Sequence, residues 1–251
     1  MKPPCYARAV LNHWGASVID IPTSEKEESD LLVHMDGCAM LVEEKTKVDS
    51  VAWLGERRDV LARGEVHNTT TPLTRDNRLS GLIKKAASQL DSSSADRPHD
   101  FLLLWFTATG LQARPKFDQF IATLYGTTKI IEMGSNGFRT CYFFRNSDFF
   151  NCAQSLDGAI VAREENGKLS MKLCLNPLSP RVDDLRRSPI AARFPNALED
   201  PIEAETRGAY VLDADIDRRD EPALLSYLQD KYRTAPLMPF DLGHMNIALH
   251  V

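Results

Sequence analysis

Two short apolar segments, Leu31-Leu32-Val33 and Met40-Leu41-Val42, flank a Met35-Asp36-Gly37 turn, and this stretch restricts the fold more than any other in the chain. An Asp-Gly pair between such runs is a hairpin signal. The first strand starts at an acid, Asp30, and the second ends in Glu43-Glu44-Lys45-Thr46-Lys47. Residues i and i+2 of a strand share a face, so Glu43 and Lys45 project side by side and the hairpin brings Asp30 towards them. Two carboxylates and an ammonium gathered at one end of a sheet suit a hard divalent cation held beside a water. The same residues also fit a plainer role. A charged run often ends a strand as a solvated pair, and Asp30 suits a turn or cap after Glu25-Lys26-Glu27-Glu28.

Downstream, Leu79, Leu82, Ile83, Ala86, Ala87 and Leu90 recur at helical spacing, with Gln89 one turn after Lys85 on the same stripe. The apolar run Phe101-Leu102-Leu103-Leu104-Trp105-Phe106 follows as a strand. In this order, the acid, hairpin, E-x-K triplet, amphipathic helix and apolar strand resemble the PD-(D/E)xK nuclease superfamily. Asp30 matches the acid of the first half-motif, with Ser29 where proline often stands, and Glu43, Glu44 and Lys45 match the second. The likeness spans residues 5–132.

The resemblance implies an α/β protein: a restriction-endonuclease-like mixed sheet flanked by helices, here extended by antiparallel strands in the C-terminal half. It implies Mg²⁺ or Mn²⁺ held by Asp30, Glu43 and the backbone carbonyl of Glu44. Lys45 would orient the attacking water or offset charge on the phosphate, and Gln89 would position the water or a phosphate. Lys47, Lys84 and Lys85 would contact a nucleic-acid backbone, with DNA expected ahead of RNA. The implied activity is phosphodiester hydrolysis leaving 5′-phosphates, in restriction, repair or defence. The alternatives are a catalytically inactive nuclease-fold module that binds protein or nucleic acid, and an α/β ligand-binding domain with no nucleic-acid partner.

Charge is compatible with that expectation only locally. The net charge is −5, yet Lys45 to Lys85 holds nine Lys or Arg against five Asp or Glu, whereas Asn196 to the end holds five against eleven. A basic segment beside a metal site can follow a phosphate backbone, although the same residues also suit the wet faces of helices. The acidic C-terminal half suits contacts with a protein partner or a second copy. No apolar run approaches the length of a membrane span, and Met1-Lys2-Pro3-Pro4-Cys5 lacks the apolar stretch of a secretory leader. Five cysteines without C-x-x-C spacing argue against a disulfide framework or a zinc site, so a reducing cytoplasm is expected.

At 251 residues the chain can bury a full core. A helix is expected over 5–15, a strand over 16–20 and a helix over 50–63 with Val51, Leu54 and Leu61 inward. Residues 66–76 read as a Thr-rich loop and 91–96 as a Ser-rich one. A helix opened by Pro115 places Phe117, Phe120, Ile121 and Leu124 on one side, and a strand over 127–132 would return beside 101–107 by a right-handed crossover. Beyond Gly134, Asn136-Gly137, Asp157-Gly158 and Asn166-Gly167 are hairpin signals among strand-like segments. The expected division is a metal-site core over 1–133 and a mainly antiparallel extension over 134–251, with irregular chain over 177–200 and a helix over 221–232. Asp213, Asp215 and Asp217 would share a face if extended, as a solvated edge or as a metal cluster. The six histidines show no metal-ligand spacing, and no phosphate loop or nucleophile elbow occurs.

Overall fold

The alternation that encodes the hairpin also sets its register. The protein is described by a computed structural model that covers residues 5–22, 27–240 and 244–249. Met1–Pro4, Glu25 and Lys26 of the acidic loop, and His250 lie outside the described residues. Helix α1 (Tyr6–His13) leads to strand β1 (Ser17–Asp20), which pairs antiparallel with β2 (Leu31–Met35). β2 pairs antiparallel with β3 (Cys38–Lys47), Leu31 facing Val42 and Met35 facing Cys38. Asp36 and Gly37 make the turn at φ 48° and 87°, the left-handed conformation that a tight hairpin requires and that Asp and Gly tolerate best.

Helix α2 (Val51–Ala62) forms where expected, with Ser50 accepting from the Trp53 N–H at 3.1 Å as its cap. Its expected inward face is not buried. No α2 residue is buried, and Val51 is 87% exposed. The Thr-rich segment is not a loop but strand β4 (His67–Pro72). Its three β-branched threonines favour extended backbone. Its partner, described below, is remote in sequence, which is why local signals missed it.

Helix α3 (Asn77–Ser94) starts at Asp76, whose carboxylate accepts from the Arg78 and Leu79 N–H groups at 2.8 and 2.9 Å. It runs through the expected Ser-rich loop, because Ser93 is buried and its Oγ receives the Ser29 N–H at 2.8 Å. Strand β5 (Phe101–Ala108) is buried at every residue and lies parallel to β3. Helix α4 (Ala113–Tyr125) carries Pro115 in its first turn, where a missing N–H is harmless, and stacks Phe120 on Phe106 at 3.8 Å.

After α4 the chain departs from expectation. Strand β6 (Thr128–Glu132) does not return beside β5. It pairs antiparallel with β7 (Phe138–Tyr142) in a separate sheet. The short helix α5 (Asp148–Asn151) then leads to β8 (Gly158–Glu165), which takes the place beside β5 in parallel register. Asp157-Gly158 is therefore a strand entry and not a turn. The buried Asp157 carboxylate accepts from the Leu102 N–H at 2.7 Å, Ser179 Oγ at 2.5 Å and Arg181 Nε, fixing β8 against β5. Asn166-Gly167 does turn the chain into β9 (Lys168–Leu175), antiparallel to β8.

The segment expected to be irregular contains α6 (Val182–Arg187), a 3-10 turn at Ala191–Arg193 and β10 (Leu198–Glu199), parallel to β9. Helix α7 (Pro201–Thr206) precedes β11 (Tyr210–Val211), and α8 (Glu221–Tyr232) forms where expected, burying Leu224 and Leu228 and leaving Leu225 half-buried. Strand β12 (Leu237–Phe240) adds to β6, and β13 (His244–Leu249) pairs with β4.

The result is an α/β architecture. A seven-stranded mixed sheet runs β1-β2-β3-β5-β8-β9-β10, and a four-stranded sheet runs β11-β7-β6-β12. The large sheet passes through the expected 133/134 division, since β8 pairs with β5. The C-terminal strands include parallel pairs, β9–β10 and β7–β11, beside the antiparallel ones. One face of the large sheet packs Leu41, Leu104 and Phe106 with α3, α4 and the second sheet. The other packs Val42, Leu103 and Trp105 with α1 and α6. Among the described residues no helix is long and apolar enough to cross a membrane.

Candidate functional site

Strand alternation places Glu43 and Lys45 on the α3 side of β3, in phase with Leu41. Continuing the β2–β3 register by one residue sets Asp30 opposite Glu43. Asp30 is exposed, and its Oδ2 accepts the Glu44 backbone N–H at 2.8 Å. Glu43 is fully buried. One of its carboxylate oxygens takes the Lys45 ammonium, and the other, Oε2, is buried with no hydrogen-bond partner. Lys45 also donates to Gln89 Oε1 at 3.0 Å, and Gln89 Nε2 donates to the Glu28 carbonyl at 3.2 Å. The structure thus brings together Asp30, Glu43, Lys45 and Gln89.

Burial pushes the Glu43 carboxyl up to about 7. The Lys45 ammonium opposes that rise, and the neighbouring Asp30 carboxylate adds to it. A carboxylate withdrawn from water has an incompletely satisfied charge, and a second acid beside it raises the demand for a cation. The donor set is therefore a pair of carboxylates with one unspent buried oxygen. It fits a hard divalent ion that completes its shell with water and substrate oxygens. It is not a closed protein cage, for no cluster of three or more His, Cys, Asp or Glu side chains capable of holding a metal occurs among the described residues.

Glu44 contributes differently from its neighbours. Its side chain points to the opposite face, where Oε1 accepts the Ala7 N–H at 3.0 Å and Oε2 the Cys5 thiol at 2.5 Å. Its backbone N–H, through Asp30, is its observed link to the site. Burial and the Glu44 carboxylate push the Cys5 thiol up to about 11.

The lysines expected along a nucleic-acid path divide. Lys47 and Lys84 are exposed, whereas Lys85 pairs with Glu27 at 2.8 Å. Sequence reasoning missed the residues that hold the entry to β2. The Ser29 hydroxyl meets Ser93 Oγ at 2.9 Å, and Arg97 Nη1 pairs with Glu28 at 2.6 Å. Ser93 lies within the Ser92-Ser93-Ser94 run that reads as a loop, so the sequence carried no signal for the first contact. The aspartates at 213 and 217 serve local contacts instead. Asp213 accepts from Tyr227 at 2.6 Å and Lys231 at 3.0 Å, and Asp217 pairs with Arg219 at 2.7 Å.

No family model, no curated protein and no solved structure matches this chain.

Proposed function

We propose that the protein is a metal-dependent nuclease that hydrolyses phosphodiester bonds, in DNA ahead of RNA. The observation that carries this reading is the buried Glu43 Oε2. It lacks a hydrogen bond, sits beside a second carboxylate, and shares a site with a lysine already aimed by Gln89. The order of elements supports it further: α1, β1, the β2–β3 hairpin, α3 after an inserted α2 and β4, then β5 parallel to β3. That is the order expected of a restriction-endonuclease-like core.

Asp30 and Glu43 would hold Mg²⁺ or Mn²⁺, which when bound polarises a phosphoryl oxygen and acidifies a water. The chain's own residues do the rest. The Glu44 N–H fixes the Asp30 carboxylate, and Lys45 sets a positive charge where the phosphate gains negative charge in the transition state. Gln89 limits the rotamers of Lys45 and ties α3 to the segment that enters β2. Lys47 and Lys84 are available to phosphates along the strand, and Lys85 becomes available on release from Glu27. The expected setting is the cytoplasm, in restriction, repair or defence.

The test is cleavage of linear, circular and single-stranded DNA and of RNA with Mg²⁺, Mn²⁺ or EDTA. Metal-dependent cleavage that is lost in Glu43→Gln supports the assignment. A wild-type protein that cleaves none of these with either metal is an inactive scaffold instead.

A further inference from the structure

A cleft of about 430 Å³ opens among α4, β6, β7, β9, β10 and β12, and it shares no lining residue with the site of Asp30, Glu43, Lys45 and Gln89. That volume lies within the range of small-molecule sites. Its polar floor is closed on itself. Glu199 accepts the Tyr142 hydroxyl at 2.5 Å on one carboxylate oxygen and the Lys172 ammonium at 2.7 Å on the other. Asp118, on α4, lines the same cleft and is only part-exposed. Among the described residues its carboxylate accepts no hydrogen bond, and burial raises its pKa against the pull of Arg114, Arg163 and Lys172. Phe138 and Phe240 stand at the cleft with ring centroids 5.5 Å apart and 28° between planes, and Phe138 is 50% exposed.

We propose that this cleft binds a nucleobase bearing an exocyclic amino group, presented as a nucleoside or nucleotide. A half-exposed aromatic ring in the lining calls for a planar ring, since stacking tolerates any base. A withdrawn carboxylate with spare acceptor capacity calls for N–H donors. The cations Arg114, Arg163 and Lys172 near Asp118 disfavour a positively charged ligand there, and Asp118 itself disfavours an acid at the same point. A neutral ring with an amino group satisfies both conditions. Lys129 is exposed on the lining and donates to Thr140 at 2.7 Å, so a 5′-phosphate would meet a cation there. The assignment stands independently of the nuclease reading, because none of its residues belongs to that site.

The experiment is calorimetric titration of the full chain in EDTA with adenosine, guanosine, cytidine and uridine 5′-monophosphates. Binding of the three amino-bearing nucleotides, with uridine monophosphate about tenfold weaker, is expected; each tenfold is about 1.4 kcal/mol. Asp118→Asn should level that preference, and Phe138→Ala should weaken all four nucleotides by about tenfold. Phe138→Leu keeps an apolar side chain and loses only the ring, which covers the case in which the alanine variant melts early. A short oligonucleotide distinguishes the source. Saturation by mononucleotide alone assigns a free nucleotide, and binding only within the oligonucleotide assigns a base of a strand. No binding of any nucleotide or oligonucleotide at millimolar concentration overturns the proposal. So does equal affinity for uridine and adenosine monophosphates, or binding indifferent to Phe138→Leu.

Discussion

The Glu44 backbone N–H donates to the Asp30 carboxylate at 2.8 Å across the hairpin, so the strand that carries one acid of the candidate site also aims the other. The Glu44 side chain meanwhile accepts the Ala7 N–H at 3.0 Å on the opposite face of the sheet. One residue therefore couples the first turn of α1 to the orientation of Asp30. Glu44→Gln should leave the Asp30 contact intact, because the main chain makes it. Glu44→Pro would remove that donor, and with it the hold on the Asp30 carboxylate. Metal titration by calorimetry should show near wild-type affinity for the first variant.

Lys45→Ala should separate turnover from metal binding. Loss of one electrostatic group that acts on the transition state lowers rate by about 10²–10³. Asp30 and Glu43 would remain to hold the ion. Asp30→Ala should weaken both. Single-turnover cleavage beside Mn²⁺ titration checks the pair, and a Lys45→Ala protein that cleaves like wild type would remove the lysine from the mechanism.

Glu43 should make the metal-free protein less stable at alkaline than at acid pH. Its carboxyl titrates near 4.5 when unfolded and near 7 when folded. A raised folded pKa means that the folded state holds the proton more tightly. The associated stability is full below about 4.5 and is lost as pH rises through about 7. The loss is about 3 kcal/mol. Glu43→Gln should therefore exceed wild type in urea unfolding at pH 8 in EDTA, with the gap closing towards pH 4.5. A gap that does not change with pH would show that Glu43 is not the titrating group.

The local parts of this arrangement were legible in the sequence and the remote parts were not. The hairpin and its charged strand end could be read because side-chain alternation fixes both register and face, so Asp30, Glu43 and Lys45 followed from spacing alone. Gln89 was expected at the site from the family resemblance, with the helical stripe of α3 giving only its alignment with Lys85. The apolar residues of α2 misled, because Val51 and Leu54 look like a core face yet stay exposed. The Thr run of β4 looked like a loop because its partner β13 lies at the far end of the chain. The strand beside β5 was misassigned for the same reason. β6 is nearer in sequence, but β8 is held there by the buried Asp157, whose contacts join residues far apart. The cleft at Asp118 draws on six elements, and no linear spacing encodes it.

Asp157→Ala should destabilise the fold by about 3 kcal/mol or more. It strands the buried Leu102 N–H and the Ser179 hydroxyl and takes from Arg181 its carboxylate partner. Asp157→Asn keeps one oxygen as acceptor and should cost less. Urea unfolding of the two variants measures the difference.

Gly126 ends α4 at φ 59°, and a Cβ there would lie 2.2 Å from the Arg145 carbonyl oxygen. Gly126→Ala adds that clash to left-handed backbone strain and should cost more than about 1 kcal/mol. A melting temperature equal to wild type would mean that the Arg145 backbone shifts freely.

The hairpin also has a consequence for the order of assembly during folding. Its two strands are adjacent in the chain, and hairpins close within microseconds. The register of β3 against β5, and of β5 against β8, instead requires long loops to close first, which slows folding and delays those pairings. Asp30 and Glu43 can thus meet in an early, solvated hairpin, where both carboxylates are hydrated. Glu43 gives up its water when β5 and α3 dock, and an ion captured before that step would offset the cost of withdrawing its carboxylate.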